Sequence, residues 1–274
     1  MMSRRHGRRS AAWIALVVLA ACRPDGQTAS VPGAPDANDA LAVSATPAAA
    51  LVVDSQAVKI LRRSMDYLND LQRFSAKTRI LTEDLLDTGH RVDFEAMGGV
   101  TVERPNKLRG ERHGAGFAQT LYFDGSTMTL YDAVRKAYAS KPAPGDIPAM
   151  FQLAYDSLGL SIPISDLVWP NAFPLLMQGV VMATVVNQEI IDGVLCDHLV
   201  FSRMDVDFQI WIPASGPPLP RKFIVTDTST PALLSIVTTI SDWKVDPRVP
   251  ASAFTFVPPK GATAVPFLAP ETGN

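Results

Sequence analysis

In this sequence, Cys196 and His198 come closest to a nucleophile paired with a base. They are two positions apart on a predicted strand, so both side chains project from one face, where an imidazole can serve as base to a thiol. The sequence offers no third group to orient the histidine and no motif for an oxyanion site. The alternative is a small buried thiol beside a hydrogen-bonded strand histidine. We prefer this alternative and predict that the chain is not an enzyme.

Other signatures of catalysis or cofactor binding are absent from the sequence. It contains no Cys-x-x-Cys, no His-Glu-x-x-His, no Gly-x-Ser-x-Gly and no glycine-rich phosphate loop. We therefore expect no metal and no cofactor.

The other cysteine, Cys22, follows a segment with the layout of a secretory signal. Four arginines precede an apolar core at residues 11–19, which is far shorter than the roughly 20 residues of a spanning helix. Leu19-Ala20-Ala21-Cys22 resembles the bacterial lipobox, in which the cysteine receives fatty acyl chains such as palmitate and the preceding bond is cut. We predict a lipoprotein signal peptide at residues 1–21 and a membrane anchor on Cys22. The alternative is an ordinary signal with an incidental cysteine.

The composition of the remaining chain limits its location and partners. Arg23 is not the aspartate that favours inner-membrane retention of such lipoproteins, which points to the periplasmic side of the outer membrane. Removal of residues 1–21 leaves 21 basic and 27 acidic residues, a poor match for nucleic acid. With nine alanines, four prolines and no aromatic residue, residues 23–50 complete a disordered tether predicted over residues 22–50.

The next 200 residues combine one helix with many short strands. Asp54 can cap a helix that runs to about Leu71, because Ala57, Ile60, Leu61, Met65, Leu68 and Leu71 recur at helical spacing. Strand patterns separated by turns then predict an antiparallel meander, with a bulge or bend at Gly98-Gly99 and a hairpin at Asp192-Gly193. Residues 254–257 are predicted as a last edge strand.

The apolar insert at residues 147–182 interrupts the strands. It contains four prolines and only two charges, Asp156 and Asp166. Asp146 can cap a first helix that ends near Gly159, and residues 166–177 can form a short second helix. The insert is predicted to cover the inner face of the sheet, as a buried plug or a movable lid.

Short segments of the sequence together resemble an uncharacterised family of predicted periplasmic proteins, which is similar to the LolA and LolB superfamily of lipoprotein-localisation factors. These segments are Val53-Asp54-Ser55-Gln56-Ala57-Val58, Tyr122-Phe123-Asp124-Gly125, Tyr131-Asp132, Asp192-Gly193-Val194-Leu195-Cys196-Asp197-His198, Trp211-Ile212 and Leu219-Pro220-Arg221-Lys222. The resemblance implies a mainly β fold with helices (α+β). In that fold a curved, incomplete antiparallel β-barrel encloses the N-terminal helix and a central helical lid. We assign residues 51–268 to this domain and residues 269–274 to a tail.

The resemblance also implies an apolar cavity that holds acyl chains. Candidate cavity or lid residues are Leu68, Met150, Phe151, Tyr155, Trp169, Phe173 and Met177. Aromatic and methionine residues at helical spacing are often plain core, although methionine also suits variable apolar ligands. We predict a non-enzymatic carrier or chaperone for a lipid or an acylated protein. The alternative is an envelope interaction or sensor module whose cavity is filled by its own helices.

Overall fold

The computed structural model describes residues 52–158 and 164–267. The predicted signal peptide, the tether, Cys22 and the tail therefore lie outside the described residues. The helices are α1 (Ser55–Asp70), α2 (Ile147–Leu158), α3 (Ser165–Val168) and α4 (Ala172–Met177), with a 3-10 turn at Ala251–Ala253. None of the described helices is long and apolar enough to span a bilayer.

Twelve strands of the described chain form one sheet. They are β1 (Arg73–Leu85), β2 (Arg91–Glu103), β3 (Lys107–Gly114), β4 (Phe117–Phe123), β5 (Thr127–Asp132), β6 (Ala137–Pro142), β7 (Met182–Ile191), β8 (Val194–Ser202), β9 (Val206–Pro213), β10 (Lys222–Asp227), β11 (Ser235–Val245) and β12 (Thr263–Ala264).

The sheet is curved and open, as expected. Its strand order is β12-β6-β5-β4-β3-β2-β1-β11-β10-β9-β8-β7, and β12 and β7 remain separate edges. All pairs are antiparallel except β12 with β6. The two halves of the meander meet where β1 pairs with β11, so the chain segments before and after the insert build one continuous surface.

The core lies between the inner face of the sheet and the helices. Burial alternates along the strands, so that Phe74 on β1, Phe123 on β4 and Phe208 on β9 face inward. Helix α1 turns its apolar stripe, including Leu61 and Met65, to the same core. The side chain of Asp54 accepts a hydrogen bond from the backbone N–H of Gln56 at 2.7 Å, which is the predicted cap.

The insert covers the inner face as predicted, but its second half forms two helices and not one. Helix α2 begins after Asp146, whose carboxylate accepts from the N–H of Ala149 at 2.9 Å. Helices α3 and α4 are separated by Trp169, Pro170 and Asn171. Trp169 is extended (ψ 131°) before the proline, and Asn171 has a φ of +53°, so neither residue continues a right-handed helix.

The prediction of an edge strand at residues 254–257 is wrong. The chain there packs across the outer face of the sheet: Phe254 is buried, and the ring of Phe256 lies 4.9–5.4 Å from those of Tyr122, Tyr131 and Tyr138. The last strand comes later, where β12 adds to the edge of β6.

Candidate functional site

A cavity of about 110 Å³ lies between the inner face of β1–β5 and helices α2 and α3. Most of its lining is apolar. The lining side chains are Ile80, Val100, Leu108, Leu121, Leu130, Phe151, Ile164 and Val168, with Thr78, Glu111, Arg112, Gln119 and Ser165 as polar members and Gly99 and Gly110 between them. A single water needs roughly 10–15 Å³ of such space. The insert therefore leaves part of the inner face uncovered by side chains.

Gly110 is one reason for this space. It faces inward on β3, paired with Val100 on one side and Leu121 on the other. A Cβ placed at Gly110 would meet only Leu108 Cδ2, at 3.9 Å. A larger side chain there would project into the cavity, so the glycine keeps this position empty.

Gly98 and Gly99 lie where the backbones of neighbouring strands approach closely. A Cβ at Gly98 would lie 1.9 Å from the carbonyl oxygen of Glu111, and one at Gly99 would lie 2.8 Å from that of Ala76. The pairing of β2 runs through both glycines without an extra residue, so of the two expected alternatives, a bulge or a bend, the bulge is absent. These glycines permit close contact between backbones.

A row of polar side chains crosses β3, β4 and β5 at one end of the cavity. The guanidinium Nε of Arg112 donates to Gln119 Oε1 at 2.9 Å, and Gln119 Nε2 lies 3.5 Å from Asp132 Oδ2. Burial lowers the pKa of the Arg112 guanidinium. Burial also acts to raise the pKa of Asp132, but hydrogen bonds from the backbone and side chain of Arg135 outweigh it and lower that pKa.

The Asp132 carboxylate gives a pH-dependent prediction. Because its folded pKa is lowered, its stabilisation is present above the unfolded pKa of about 3.9 and is lost as pH falls through the folded value. Asp132→Asn should lower the free energy of unfolding by about 1–2 kcal/mol at pH 7, since it removes charge-assisted hydrogen bonds. Denaturant titrations at pH 7 and pH 3 should show this difference shrinking. An equal difference at both pH values would contradict the assignment.

The structure distributes the seven predicted ligand residues over four environments. Phe151 lines the cavity, and its ring lies 6.0 Å from that of Trp169. Leu68, Met150 and Phe173 are buried in the core. Trp169 and Met177 line a second, more open depression beside α4, and Tyr155 is 37% exposed. The cavity lining supplied by the strands was not among the predicted residues.

Comparison with known proteins gives the family. The model of the family described as "Predicted periplasmic protein (DUF2092)" matches residues 57–268. The chain belongs to this family. No curated protein matches the DUF2092 chain.

Several solved structures are similar to this DUF2092 protein at low identity. Lipoprotein LppX from Mycobacterium tuberculosis is 14% identical, with a TM-score of 0.43 and coverage of 72% of this chain and 98% of that one. LprF from Mycobacterium bovis has the same identity and TM-score, with coverage of 72% and 96%. A LolA superfamily protein from Nitrosomonas europaea is 14% identical, with a TM-score of 0.39 and coverage of 73% and 97%. None of these similarities bears on ligand or activity.

The Cys196 thiol of the DUF2092 protein is buried. Its Sγ lies 3.5 Å from the carbonyl oxygen of Val194, and burial raises the pKa of the thiol. The imidazole of His198 is engaged elsewhere. Its Nε2 lies 2.9 Å from Gln209 Oε1 and its Nδ1 lies 3.2 Å from Glu189 Oε1. This environment favours the protonated thiol, which is the less nucleophilic form.

Glu189 also connects His198 to Trp211. The indole N–H of Trp211 donates to Glu189 Oε2 at 3.0 Å and, as the largest contribution, lowers the pKa of this carboxylate; His198 adds to the effect. The rings of His198 and Trp211 stack with centroids 4.0 Å apart. The side chains of this cluster point away from the cavity, because Leu199 and Phe201 on the same strand face the core.

The burial of Cys196 predicts slow reaction with thiol reagents. The test uses the folded protein with Cys22 replaced by serine, so that Cys196 is the thiol that reacts. At pH 8, less than about a tenth of it should react with Ellman's reagent in the time that the unfolded protein needs to react completely. A native rate equal to the rate in guanidinium chloride would show an accessible thiol.

Proposed function

We propose that this protein is a non-enzymatic lipid-binding protein of the cell envelope, which holds an acyl chain of a lipid or of an acylated protein in its cavity. The observation that carries the proposal is the apolar cavity at Gly110, between the inner sheet face and helices α2 and α3. The periplasmic description of the family fits an envelope location. Lipid attachment at Cys22 would hold the domain at a membrane, with the outer membrane as the expected one.

The size of the cavity suits a segment of an acyl chain. At the roughly 30 Å³ that a water-sized group occupies in a liquid, the space of about 110 Å³ holds about four such groups. A methylene is of similar size, and each buried methylene contributes about 0.8 kcal/mol. Filling the cavity thus contributes ~3 kcal/mol before the entropic cost of association is subtracted. This gain supports reversible binding, which passive transfer between membranes requires.

Native mass spectrometry of a soluble form lacking residues 1–22 tests the proposal. We expect a lipid mass on the protein as purified, and saturable binding of a dansyl-labelled fatty acid after delipidation. Palmitate should displace the labelled probe. A protein that is always empty and binds no probe would overturn the proposal.

A second candidate function is an interaction or sensor module of the same fold. The burial of Leu68, Met150 and Phe173 favours it, because these predicted ligand residues pack in the core and do not line the cavity. This candidate predicts an empty protein in the same experiment. The two functions are therefore separated by one measurement.

A further inference from the structure

One end of the sheet carries large apolar side chains in its turns. Strands β1, β3, β5, β8 and β10 end there, and β2, β4, β6, β7, β9 and β11 begin there. We call this end the turn rim. Its turns hold Leu86, Val134, Met204 and Leu233, of which Met204 is 88% exposed and the other three are 44–58% exposed. Leu85 and Phe94 flank the first turn and are also exposed.

The turns at the opposite end differ in composition. The short turns there are Arg104-Pro105-Asn106, Asp124-Gly125-Ser126 and Asp192-Gly193, with no large apolar residue, and the longer connection between β9 and β10 holds Leu219, which is buried. Exposed apolar side chains at that end are Ile190, Leu195 and Val245, all within strands. Exposing large apolar side chains to water is unfavourable. Their concentration in the turns at one end of the sheet therefore suggests that this surface contacts a binding partner.

The N-terminal chain leaves the domain at the turn rim. The Ala183 N–H donates to the Val52 carbonyl oxygen at 3.1 Å, and the Asp54 N–H donates to the Ala183 carbonyl oxygen at 2.9 Å, at the start of β7. Val52 and Val53 are exposed beside them. Thirty positions separate Val52 from Cys22, and if the tether predicted from the sequence is a flexible coil, it would span about 30 Å. A lipid on Cys22 would therefore keep this end of the domain near the bilayer.

The cavity also ends near the turn rim. Arg112 lies two residues before the end of β3, Gln119 lies two residues after the start of β4, and Leu130 lies two residues before the end of β5. The polar row at Arg112 and Gln119 thus lies between the apolar part of the cavity and the rim.

We propose that the turn rim is a docking surface for a lipid bilayer, which turns the end of the cavity toward the membrane. This proposal rests on the proposed function, because turning the cavity toward the membrane matters only if the cavity holds an acyl chain. The rim residues project singly from separate turns and have charged neighbours, such as Arg135 and Lys136 after Val134. Apolar side chains of this kind enter the boundary between headgroups and acyl chains while their charged neighbours stay among the headgroups.

Photo-crosslinking of the full-length protein tests the docking surface. The photoreactive residue benzoylphenylalanine replaces Met204 at the rim or Leu195 at the opposite end, and the protein is reconstituted into phosphatidylcholine vesicles. After irradiation, mass spectrometry measures the fraction of each site that carries a lipid adduct. We expect at least three times more adduct at position 204. Equal adduct at both positions, or none at either, would overturn the proposal, as would crosslinks from position 204 to a second copy or another protein.

Two pairs of substitutions add a matched control. Leu86→Glu with Leu233→Glu should lower the adduct at position 204 at least threefold, whereas Ile190→Glu with Val245→Glu should leave it unchanged. Gly110→Phe should also leave it unchanged, since it fills the cavity and not the rim. Loss of the adduct in Gly110→Phe would mean that the crosslinked lipid belongs to the cavity, and the docking proposal would fail without affecting the proposed function. If instead the soluble protein bound no fatty acid while the adduct at position 204 remained, the proposed function would fail and the docking proposal would stand.

Discussion

Replacing Gly110 with phenylalanine is expected to lower the affinity for a dansyl-labelled fatty acid at least tenfold and to leave the protein folded. The Cβ of the new side chain meets no backbone atom within 4 Å, since its nearest neighbour is the side-chain carbon Leu108 Cδ2 at 3.9 Å, and we expect the ring to enter the space between Val100 and Leu121. A ring in that position occupies the volume that the acyl chain needs. A tenfold loss corresponds to about 1.4 kcal/mol of binding free energy, which is the contribution of about two methylenes.

Gly110→Ala is the matched control for this prediction. It adds one methyl group at the same backbone position and should keep the affinity within about twofold, because most of the cavity remains. Fluorescence titration gives both affinities, and thermal unfolding should show that neither variant is less stable by more than a few degrees. Unchanged affinity in Gly110→Phe, with the fold intact, would place the binding site elsewhere.

The largest expected effect on stability comes from Phe208→Ala. Phe208 is 1% exposed. Its ring stacks on that of Phe201, with centroids 4.7 Å apart, and the ring centroid of Phe223 lies 6.0 Å from its own. The substitution removes a large buried side chain and leaves a cavity that neighbouring strands cannot fill. We expect the free energy of unfolding to fall by about 4 kcal/mol.

Urea denaturation measures this loss. Phe94→Ala provides the comparison, because Phe94 is also on a strand but is 57% exposed. Its loss should be less than about 1 kcal/mol. Similar losses in the two variants would show that the stacked phenylalanines do not form the main core of this half of the sheet.

The elements that could be predicted from the sequence are those fixed by local chemistry. The helix capped by Asp54 follows from one side-chain acceptor and an apolar repeat. The hairpin at Asp192-Gly193 has φ values of +47° and +77°, the left-handed conformations that this pair of residues adopts readily. The open curved sheet around helices followed from the family resemblance and is also present.

The elements that could not be predicted depend on distant contacts. The aromatic residues of 254–257 have the composition of a strand, and only the position of Tyr122, Tyr131 and Tyr138 shows that Phe256 packs onto a sheet that already exists. Likewise, the single helix expected over residues 166–177 required Trp169 and Asn171 to be helical, and both depart from that conformation.

An apolar cavity was predicted from the family resemblance and is present, whereas the ligand-binding role of its residues stays a prediction. The insert supplies Phe151 and Val168 to the cavity, but most of the lining comes from strands whose register the sequence does not specify. Gly110 is the one position that the sequence could have indicated. It lies between Leu108 and Arg112 in a predicted strand, and a glycine inside a strand often marks close approach of a ligand or backbone.

Photo-crosslinking with a fatty acid tests most directly whether an acyl chain occupies the cavity. The probe carries a diazirine at the end of a sixteen-carbon chain, and the delipidated soluble protein is irradiated with and without excess palmitate. We expect adducts on peptides containing Leu108, Leu121 or Val168, which palmitate suppresses and Gly110→Phe abolishes. Adducts confined to Met204 and the other turn-rim residues, or adducts that Gly110→Phe leaves unchanged, would contradict this expectation.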